Sequence, residues 1–238
     1  IRSGQADVII AVGADASITP LVFAGFCSLR ALSSEFNDAP ERASRPFDRL
    51  RDGFVMGEVS ATLVVESWAH AKKRKAKVYA ELVGYAATSE AYHMVIPQED
   101  GQEIATTMKI GLDSAGIGPD QVDYINAHAT STTIGDAVET KAVRSLFKNR
   151  ADKIAISATK SLIGHTLGAA GAIGAVATTL SIHTGQIHPT ANYEEPGPAC
   201  RLDGISRAVQ ERKVRYALLN AFGFGSNNAT VVFKKFVA

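Results

Sequence analysis

Two histidines and a lysine stand where short apolar runs of the sequence end. His128 follows the run 124–127, while Lys160 and His165 follow the run 154–157 and precede a long stretch of small residues. Both runs are typical of strands, and the carboxyl ends of parallel strands collect functional groups at one edge of a sheet. Imidazole and ammonium groups there can donate to a developing oxyanion. A lone histidine near a helix start is more often a buried polar cap, so that alternative stays open at this point.

A third stretch, 220–229, is punctuated by glycine and lies between two strand-like runs. Gly223 and Gly225 permit a mobile, tight turn, and Phe222 and Phe224 can make a neighbouring pocket apolar. An apolar pocket penalises a carboxylate more than neutral carbon dioxide, and this favours decarboxylation. The alternative is a β-turn whose phenylalanines pack a core.

Together the three stretches resemble the two histidine motifs and the glycine–phenylalanine loop of the β-ketoacyl-ACP synthases, the condensing enzymes of fatty-acid and polyketide synthesis. The resemblance extends over the whole chain, including the segments 45–48, 51–58 and 89–94, and is nearest to the elongating, dissociated enzymes of bacteria and organelles. It implies a thiolase-like α/β fold with five layers, α-β-α-β-α, and mainly parallel mixed sheets. Residues 1–76 would end the first of two similar halves and residues 77–238 would form the second, with the amino-terminal portion missing.

The resemblance also implies a reaction: malonyl on acyl carrier protein loses carbon dioxide and extends an acyl chain that a cysteine of the enzyme holds. His128 and His165 would donate to the thioester oxygen of the enolate. Lys160 would orient its neighbours and interact with Asp136 and Glu139 on the helix after the first histidine. From the residues alone, a surface pair of carboxylates near a helix start would be the preferred interpretation.

Substrate contacts follow from the same resemblance. Phe224 would be the gate that admits the acyl chain, with its backbone N–H sharing the oxyanion hole. Arg30 is expected to meet the acidic carrier protein, and a homodimer is expected. No cofactor and no metal are implied, since the phosphopantetheine of the carrier protein holds the substrates. The substrate-binding residues would be Thr130, Ser131, Phe222, Gly223 and Gly225.

Four departures from the family's pattern bear on function. The family's nucleophilic cysteine would lie upstream of the first strand, so we expect the chain to begin inside a longer protein and to be inactive alone. Cys27 comes after that strand and is interpreted as a core residue. Val95 stands where a threonine is frequent, and Gly174 replaces a common glutamate. Ser226-Asn227 replaces Gly-Thr, which we expect to stiffen the gate loop.

Other functions remain open on these residues. A non-catalytic, chain-length-determining partner subunit is one, because the nucleophile is not among them, although His128, His165 and Lys160 together argue against a decayed site. A polyketide ketosynthase is another. A thiolase is weaker, since its terminal cysteine motif is not found, and a pure binding module leaves the two histidines without a purpose.

Composition excludes several classes of protein. The 238 residues are 46% hydrophobic, enough for a buried core, and a formal charge of +1 argues against a nucleic-acid partner bound by bulk electrostatics. Cys27 and Cys200 lack metal-ligand spacing and fit a reducing compartment, which would be the cytoplasm or, after loss of an upstream targeting segment, an organelle matrix. No membrane span is expected, because polar residues interrupt the helix after His165.

The apolar runs predict strands alternating with helices, as in βαβ units. The first run, 6–12, is apolar throughout, which is typical of a strand covered on both faces. Strands are predicted at 6–12, 61–66, 78–85, 122–127, 154–157, 216–219 and 230–233, and helices at 21–32, 101–115, 135–147 and from the stretch around 165 to 183.

Overall fold

A computed structural model describes residues 1–237, arranged in layers about one long helix. The strands are β1 (Val8–Asp15), β2 (Val59–Glu66), β3 (Glu81–Ser89), β4 (Tyr124–Asn126), β5 (Ala155–Ser157), β6 (Gln186–Ile187), β7 (Gln210–Glu211), β8 (Tyr216–Gly223) and β9 (Asn227–Lys234). The helices are α1 (Pro20–Ser28), α2 (Trp68–Lys73), α3 (Gln102–Ser114), α4 (Gly135–Phe147), α5 (Lys160–Ile163) and α6 (Ala170–Thr184).

The main sheet has five strands in the order β3-β9-β8-β4-β5. The β8-β4 and β4-β5 pairs are parallel, whereas β3-β9 and β8-β9 are antiparallel. The expected mixed α/β fold is confirmed, but the expectation of mainly parallel pairs is wrong because β8 and β9 form a hairpin. The three parallel strands β8, β4 and β5 bring their carboxyl ends to one edge, where all three sequence motifs meet.

Helices and sheets alternate through the molecule. Helices α3 and α4 lie against one face of the main sheet, and α6 packs on the other through β8 and β9. Beyond α6 lies a second, antiparallel sheet formed by β1 and β2. The order is therefore α-β-α-β, and each face of the main sheet has its own cluster of buried apolar side chains.

The predicted helix around the second histidine is interrupted. Helix α5 is only a single turn and ends at Gly164, whose φ of +74° is a left-handed conformation. A Cβ at this position would lie 2.9 Å from the carbonyl oxygen of Val55. The chain then turns through His165 before α6 begins at Ala170. This break places the partly buried imidazole at a turn and not along a helix.

Strand β1 departs from its predicted environment. Ile10, Val12 and Val64 on the β1-β2 sheet are 66%, 60% and 58% exposed, so the expectation of a strand covered on both faces is wrong for the described residues. Cys27 is also exposed and not in the core, because α1 buries none of its residues. Cys27 and Cys200 are both free thiols.

The segment Leu167–Thr184 is long and apolar enough to cross a membrane by length and composition, contrary to the expectation from its polar residues. In the fold it is packed between the main sheet and the β1-β2 sheet. The Thr178 hydroxyl on this helix is buried and donates to the Gly174 carbonyl at 2.7 Å. Length and composition alone are weak grounds for a membrane span, and this helix lies between two sheets of the fold.

Candidate active site

The two predicted histidines and the lysine converge at the carboxyl edge of the main sheet. The rings of His128 and His165 lie edge to face with centroids 5.7 Å apart. The Lys160 ammonium lies 2.5 Å from the carbonyl oxygen of His128 and 3.4 Å from its ring Nδ1. All three side chains line a cavity of about 350 Å³ between the sheet edge and the start of α6.

The His128 ring is held in one neutral tautomer. Lys160 in its charged form can only donate, so Nδ1 of His128 accepts and the ring proton is on Nε2. Burial lowers the pKa of His128 well below its usual range, and the charge of Lys160 and the ring of His165 add to the effect. The ring therefore stays neutral at cellular pH and offers one N–H donor.

The His165 ring reaches the same tautomer through a backbone group. The Leu167 N–H donates to its Nδ1 at 3.1 Å, so the proton is again on Nε2. The backbone N–H of His165 donates to the Val55 carbonyl at 2.7 Å, and the ring of Phe54 packs edge-on at 5.3 Å. Burial lowers the pKa of His165 to about 3, with the Lys160 charge as a further cause and Asp15 opposing it.

Lys160 is an unusual lysine because it is buried, with only 8% of its surface exposed. Burial lowers the pKa of Lys160 to about 8, although the buried carboxylates Glu139 and Asp136 raise it. At neutral pH the ammonium form still dominates. It therefore supplies a positive charge and N–H donors beside His128.

Glu139 supports the backbone of the first histidine turn. Its carboxylate accepts from the backbone N–H groups of His128 at 2.9 Å and Ala129 at 2.8 Å, and from the side-chain amide of Asn220 at 3.1 Å. Burial raises the pKa of Glu139, and these donors oppose the rise. Ala129 has a left-handed φ of 37°, a conformation that costs a non-glycine residue free energy.

Asp136 joins that turn to the segment after Arg45. Its carboxylate accepts from the backbone N–H of Phe47 at 2.8 Å and of Ser131 at 3.1 Å, with the Arg51 Nε 3.8 Å away. Burial raises the pKa of Asp136 to about 7. Within residues 1–237 neither Asp136 nor Glu139 forms an ion pair with Lys160. The acids bind backbone amides, and their negative charge reaches the Lys160 ammonium through space, without a direct ion pair in the described part of the chain.

The glycine loop places Phe222, and not Phe224, beside a catalytic ring. Phe222 lies 5.5 Å from the His128 ring, centroid to centroid, and lines the cavity with Gly223. Phe224 is 49% exposed at the hairpin tip, 6.5 Å from the ring of Phe26. Gly225 has a φ of +77° and its N–H donates to the Met94 carbonyl.

Two family models match the chain: the β-ketoacyl synthase N-terminal domain over residues 1–71 and the β-ketoacyl synthase C-terminal domain over residues 79–194. The chain belongs to the β-ketoacyl synthase family. The chloroplastic 3-oxoacyl-[acyl-carrier-protein] synthase I of Hordeum vulgare is 47% identical over 99% of this chain and 51% of its own length. The 3-oxoacyl-[acyl-carrier-protein] synthase 2 of Coxiella burnetii is 46% identical over 99% of this chain and 56% of its own length.

This β-ketoacyl synthase chain thus spans about half the length of the curated relatives it matches. Among solved structures, one chain matches the fold with a TM-score of 0.97 and 39% identity. It comes from the structure of a type II PKS acyl-carrier protein in complex with its ketosynthase bound to the hexaketide. The match covers 100% of this chain and 58% of that one. The thiolase-like ketosynthase fold is confirmed.

Two predicted substrate contacts of the β-ketoacyl synthase chain lie behind the cavity and do not line it. Ser131 is fully buried, and its hydroxyl accepts from the Arg45 backbone N–H at 3.0 Å, so its contact with substrate stays a prediction. The Thr130 hydroxyl lies 3.0 Å from that of Thr132 and is 9% exposed. Arg30 is exposed at the end of α1, with a left-handed φ of 52°.

The sequence motifs of the β-ketoacyl synthase chain contain polar residues to which no role was assigned. Asn126 and Thr159 line the cavity and are hydrogen-bonded to each other at 3.0 Å, while Asn220 lines it and binds Glu139. For Asn126 the available signal was a polar side chain at the end of an otherwise apolar strand, two residues before His128. Among residues 1–237, no three His, Cys, Asp or Glu side chains converge as a metal-binding group.

Gly174 and Leu219 of the β-ketoacyl synthase chain are complementary in shape. Leu219 lines the cavity, and a Cβ built on Gly174 would meet its Cδ1 at 2.7 Å. Leu219 thus occupies the space into which a side chain at position 174 would point. Gly174, one of the four departures from the family's pattern, therefore faces the apolar side chain of Leu219 and not an empty space.

Proposed function

We propose that the full-length protein is a 3-oxoacyl-ACP synthase that joins an acyl chain to malonyl on acyl carrier protein. The observation that carries this proposal is the pair of neutral imidazoles in one cavity, with Nδ1 of each occupied as an acceptor and Nε2–H left to donate. A developing enolate oxygen needs this arrangement, since fixed donors are worth about 10² to 10³ in rate for each group. The names of the relatives in barley and Coxiella support the same reaction.

The proposed reaction has two steps, a decarboxylation and a condensation. The bond between the malonyl α-carbon and its carboxylate breaks, carbon dioxide leaves, and the electron pair becomes an enolate whose oxygen accepts from His128 and His165. The enolate carbon then attacks the carbonyl of an acyl thioester, and the cysteine thiolate leaves. We propose that this cysteine precedes Ile1 in the full-length protein, so residues 1–238 alone would be inactive. Phe222 beside His128 disfavours the malonyl carboxylate and leaves the neutral product unaffected.

The decisive test is radiolabelled carbon dioxide release and product formation by the full-length protein, supplied with acyl-ACP and malonyl-ACP. We expect turnover that His128→Ala and His165→Ala each lower about 10²- to 10³-fold, while Cys27→Ser, which changes an exposed thiol outside the cavity, has no effect. The alternative outcome is a full-length protein that has no turnover alone and gives activity only when it is mixed with a second ketosynthase subunit. That result would identify the protein as a chain-length-determining partner. Comparing straight-chain and β-keto acyl primers separates fatty-acid from polyketide elongation.

We propose that Arg30 contributes to carrier binding, that the protein acts as a homodimer, and that no cofactor is required. The reaction would take place in the cytoplasm or an organelle matrix, in line with the chloroplastic name of the barley relative. Arg30→Glu should raise KM for the carrier protein about tenfold, because a reversed charge repels an acidic partner. Lys213→Glu is the control, since Lys213 is exposed just before β8, at the opposite sheet edge. Equal KM values in the two variants would count against Arg30.

A further inference from the structure

The imidazole of His188 lies beside the end of β5 and the start of the turn that carries Lys160. Its Nδ1 is 3.0 Å from the Pro189 carbonyl oxygen, and its Nε2 is 3.2 Å from the Ser157 hydroxyl and 3.1 Å from the Thr159 hydroxyl. A carbonyl only accepts, so Nδ1 carries the ring proton and Nε2 is the acceptor. Burial lowers the pKa of His188, which keeps the ring in this neutral form.

With the ring in this tautomer, each hydroxyl of the surrounding group has an acceptor. Tyr124 donates to Ser157 across 2.7 Å, Ser157 donates to Nε2 of His188, and Thr159 donates to the Asn126 amide oxygen at 3.0 Å. The amide hydrogens of Asn126 are directed to α6. A buried network in which every donor is satisfied holds its members in one arrangement, and loss of one acceptor leaves a buried donor unpaired.

The residues after His188 hold the same turn. Thr190 accepts from the Ala158 N–H at 3.2 Å, and the Ala191 N–H donates to the Ser161 hydroxyl at 2.8 Å. The segment 188–191 is therefore bonded along the whole length of the turn 157–161, which carries Lys160. The same network reaches the strand end two residues before His128 through Asn126.

We propose that His188 is a positioning residue: by accepting from Ser157 it fixes the end of β5, three residues before Lys160, and because the Ala127 N–H donates to the Ser157 carbonyl at 2.9 Å it also fixes the strand end before His128. The inference rests on the proposed function for its catalytic consequence, but the placement of Lys160 can be measured without turnover. Lys160 must stay 2.5 Å from the His128 carbonyl oxygen to donate to the ring as well, and a displacement of about 1 Å can cost up to roughly 100-fold in rate.

The test uses four variants of the full-length protein: His188→Leu, which removes the acceptor; His188→Gln, which keeps an acceptor where Nε2 stands; Ser157→Ala, which removes the donor; and the double variant His188→Leu/Ser157→Ala. Lys160 is titrated by NMR of ε-¹³C-labelled lysine, and kcat and KM for malonyl-ACP decarboxylation are measured alongside thermal unfolding. We expect His188→Leu to move the Lys160 titration midpoint by more than about half a pH unit and to lower kcat about tenfold with unchanged KM.

The remaining variants separate positioning from general stability. His188→Gln should recover most of kcat and the wild-type Lys160 midpoint, and the double variant should be no slower than the slower single variant, since both changes remove one connection. An unmoved Lys160 midpoint in folded His188→Leu, or additive losses in the double variant, would overturn the inference. An inactive wild-type protein would refute the proposed function instead, and the Lys160 midpoint would still decide the positioning role.

Discussion

The turn that carries His128 and the turn that carries His165 lie side by side at one sheet edge, yet different groups hold them. The first is anchored from beneath by a buried carboxylate, Glu139, which accepts two of its backbone N–H groups. The second is anchored by backbone pairing with the segment around Val55 and, at its far end, by the half-exposed Asp15, which accepts from the Gly168 N–H at 3.0 Å.

Both arrangements select the same ring tautomer, but only one of them can titrate. Nδ1 of His128 accepts from the Lys160 ammonium, which loses its proton at moderately alkaline pH, whereas Nδ1 of His165 accepts from a backbone amide that never does. The two imidazole donors can therefore respond unequally to pH and to mutation. Four predictions test this asymmetry.

The largest effect is expected where the two turns should behave alike. His128→Ala and His165→Ala should each lower malonyl-ACP decarboxylation by the full-length protein about 10² to 10³-fold, because each removes one donor to the oxyanion. His183→Ala, at the far end of α6 beside Tyr79, is the control and should retain wild-type activity. A loss below tenfold at either site would show that only one ring acts as a donor.

Stability should separate the two turns. Glu139→Gln replaces one carboxylate oxygen by an NH₂ group, which faces the N–H donors of His128, Ala129 and Asn220 and cannot accept from them. We expect this change to lower the free energy of unfolding by about 2 kcal/mol. Asp15→Asn at the second turn should cost less than about 1 kcal/mol, since water can replace the lost acceptor. Urea unfolding of the full-length variants measures both, and equal costs would mean that burial of the carboxylate does not matter.

The pH profile tests the titratable half of the comparison. Because burial lowers the pKa of Lys160 to about 8, kcat should fall as pH rises through about 8 and the ammonium is lost. Lys160→Arg keeps its charge to pH values above about 12, so this alkaline limb should disappear even if the variant is slower. A limb of unchanged position in Lys160→Arg would assign it to another group. Steady-state kinetics between pH 6.5 and 9.5 is sufficient, and these values are roughly the span of the expected transition.

The smallest effect concerns backbone strain. Ala129 and Leu167, next to the two histidine turns, have left-handed φ values of 37° and 42°. Ala129→Gly should raise the free energy of unfolding by about 0.5 kcal/mol, because relief of strain outweighs the added chain entropy. Leu167→Gly should not stabilise, since Leu167 also lines the cavity. Thermal unfolding compares the pair, and a destabilised Ala129→Gly would contradict the strain argument.

The meeting of the two histidine motifs could be predicted from the sequence because it depends on a local rule, whereas the glycine loop joined them only through the family resemblance. The apolar runs that precede His128 and Lys160 predict parallel strands, and the carboxyl ends of such strands share one edge. The roles of Phe224 and Arg30, like the division at residue 76, remain predictions.

Non-local contacts could not be predicted in the same way. The position of Glu139 in the sequence does not show that its carboxylate binds backbone amides and not Lys160. Ser131 lies three residues after His128, but its hydrogen bond to Arg45, 86 residues away in the chain, can be seen only in the fold. The exposure of Ile10 was missed for a related reason. An apolar strand predicts a covering layer but not which residues supply it.

The fit of Gly174 against Leu219 has a consequence for how this site can change. The two positions are coupled: a Cβ at 174 meets the tip of Leu219, which must shift to admit it, and a smaller residue at 219 leaves a void beside the two histidine turns. A single substitution at either position therefore changes the packing of the other. Substituting both positions together would change the chemical character of this part of the cavity wall without a clash or a void.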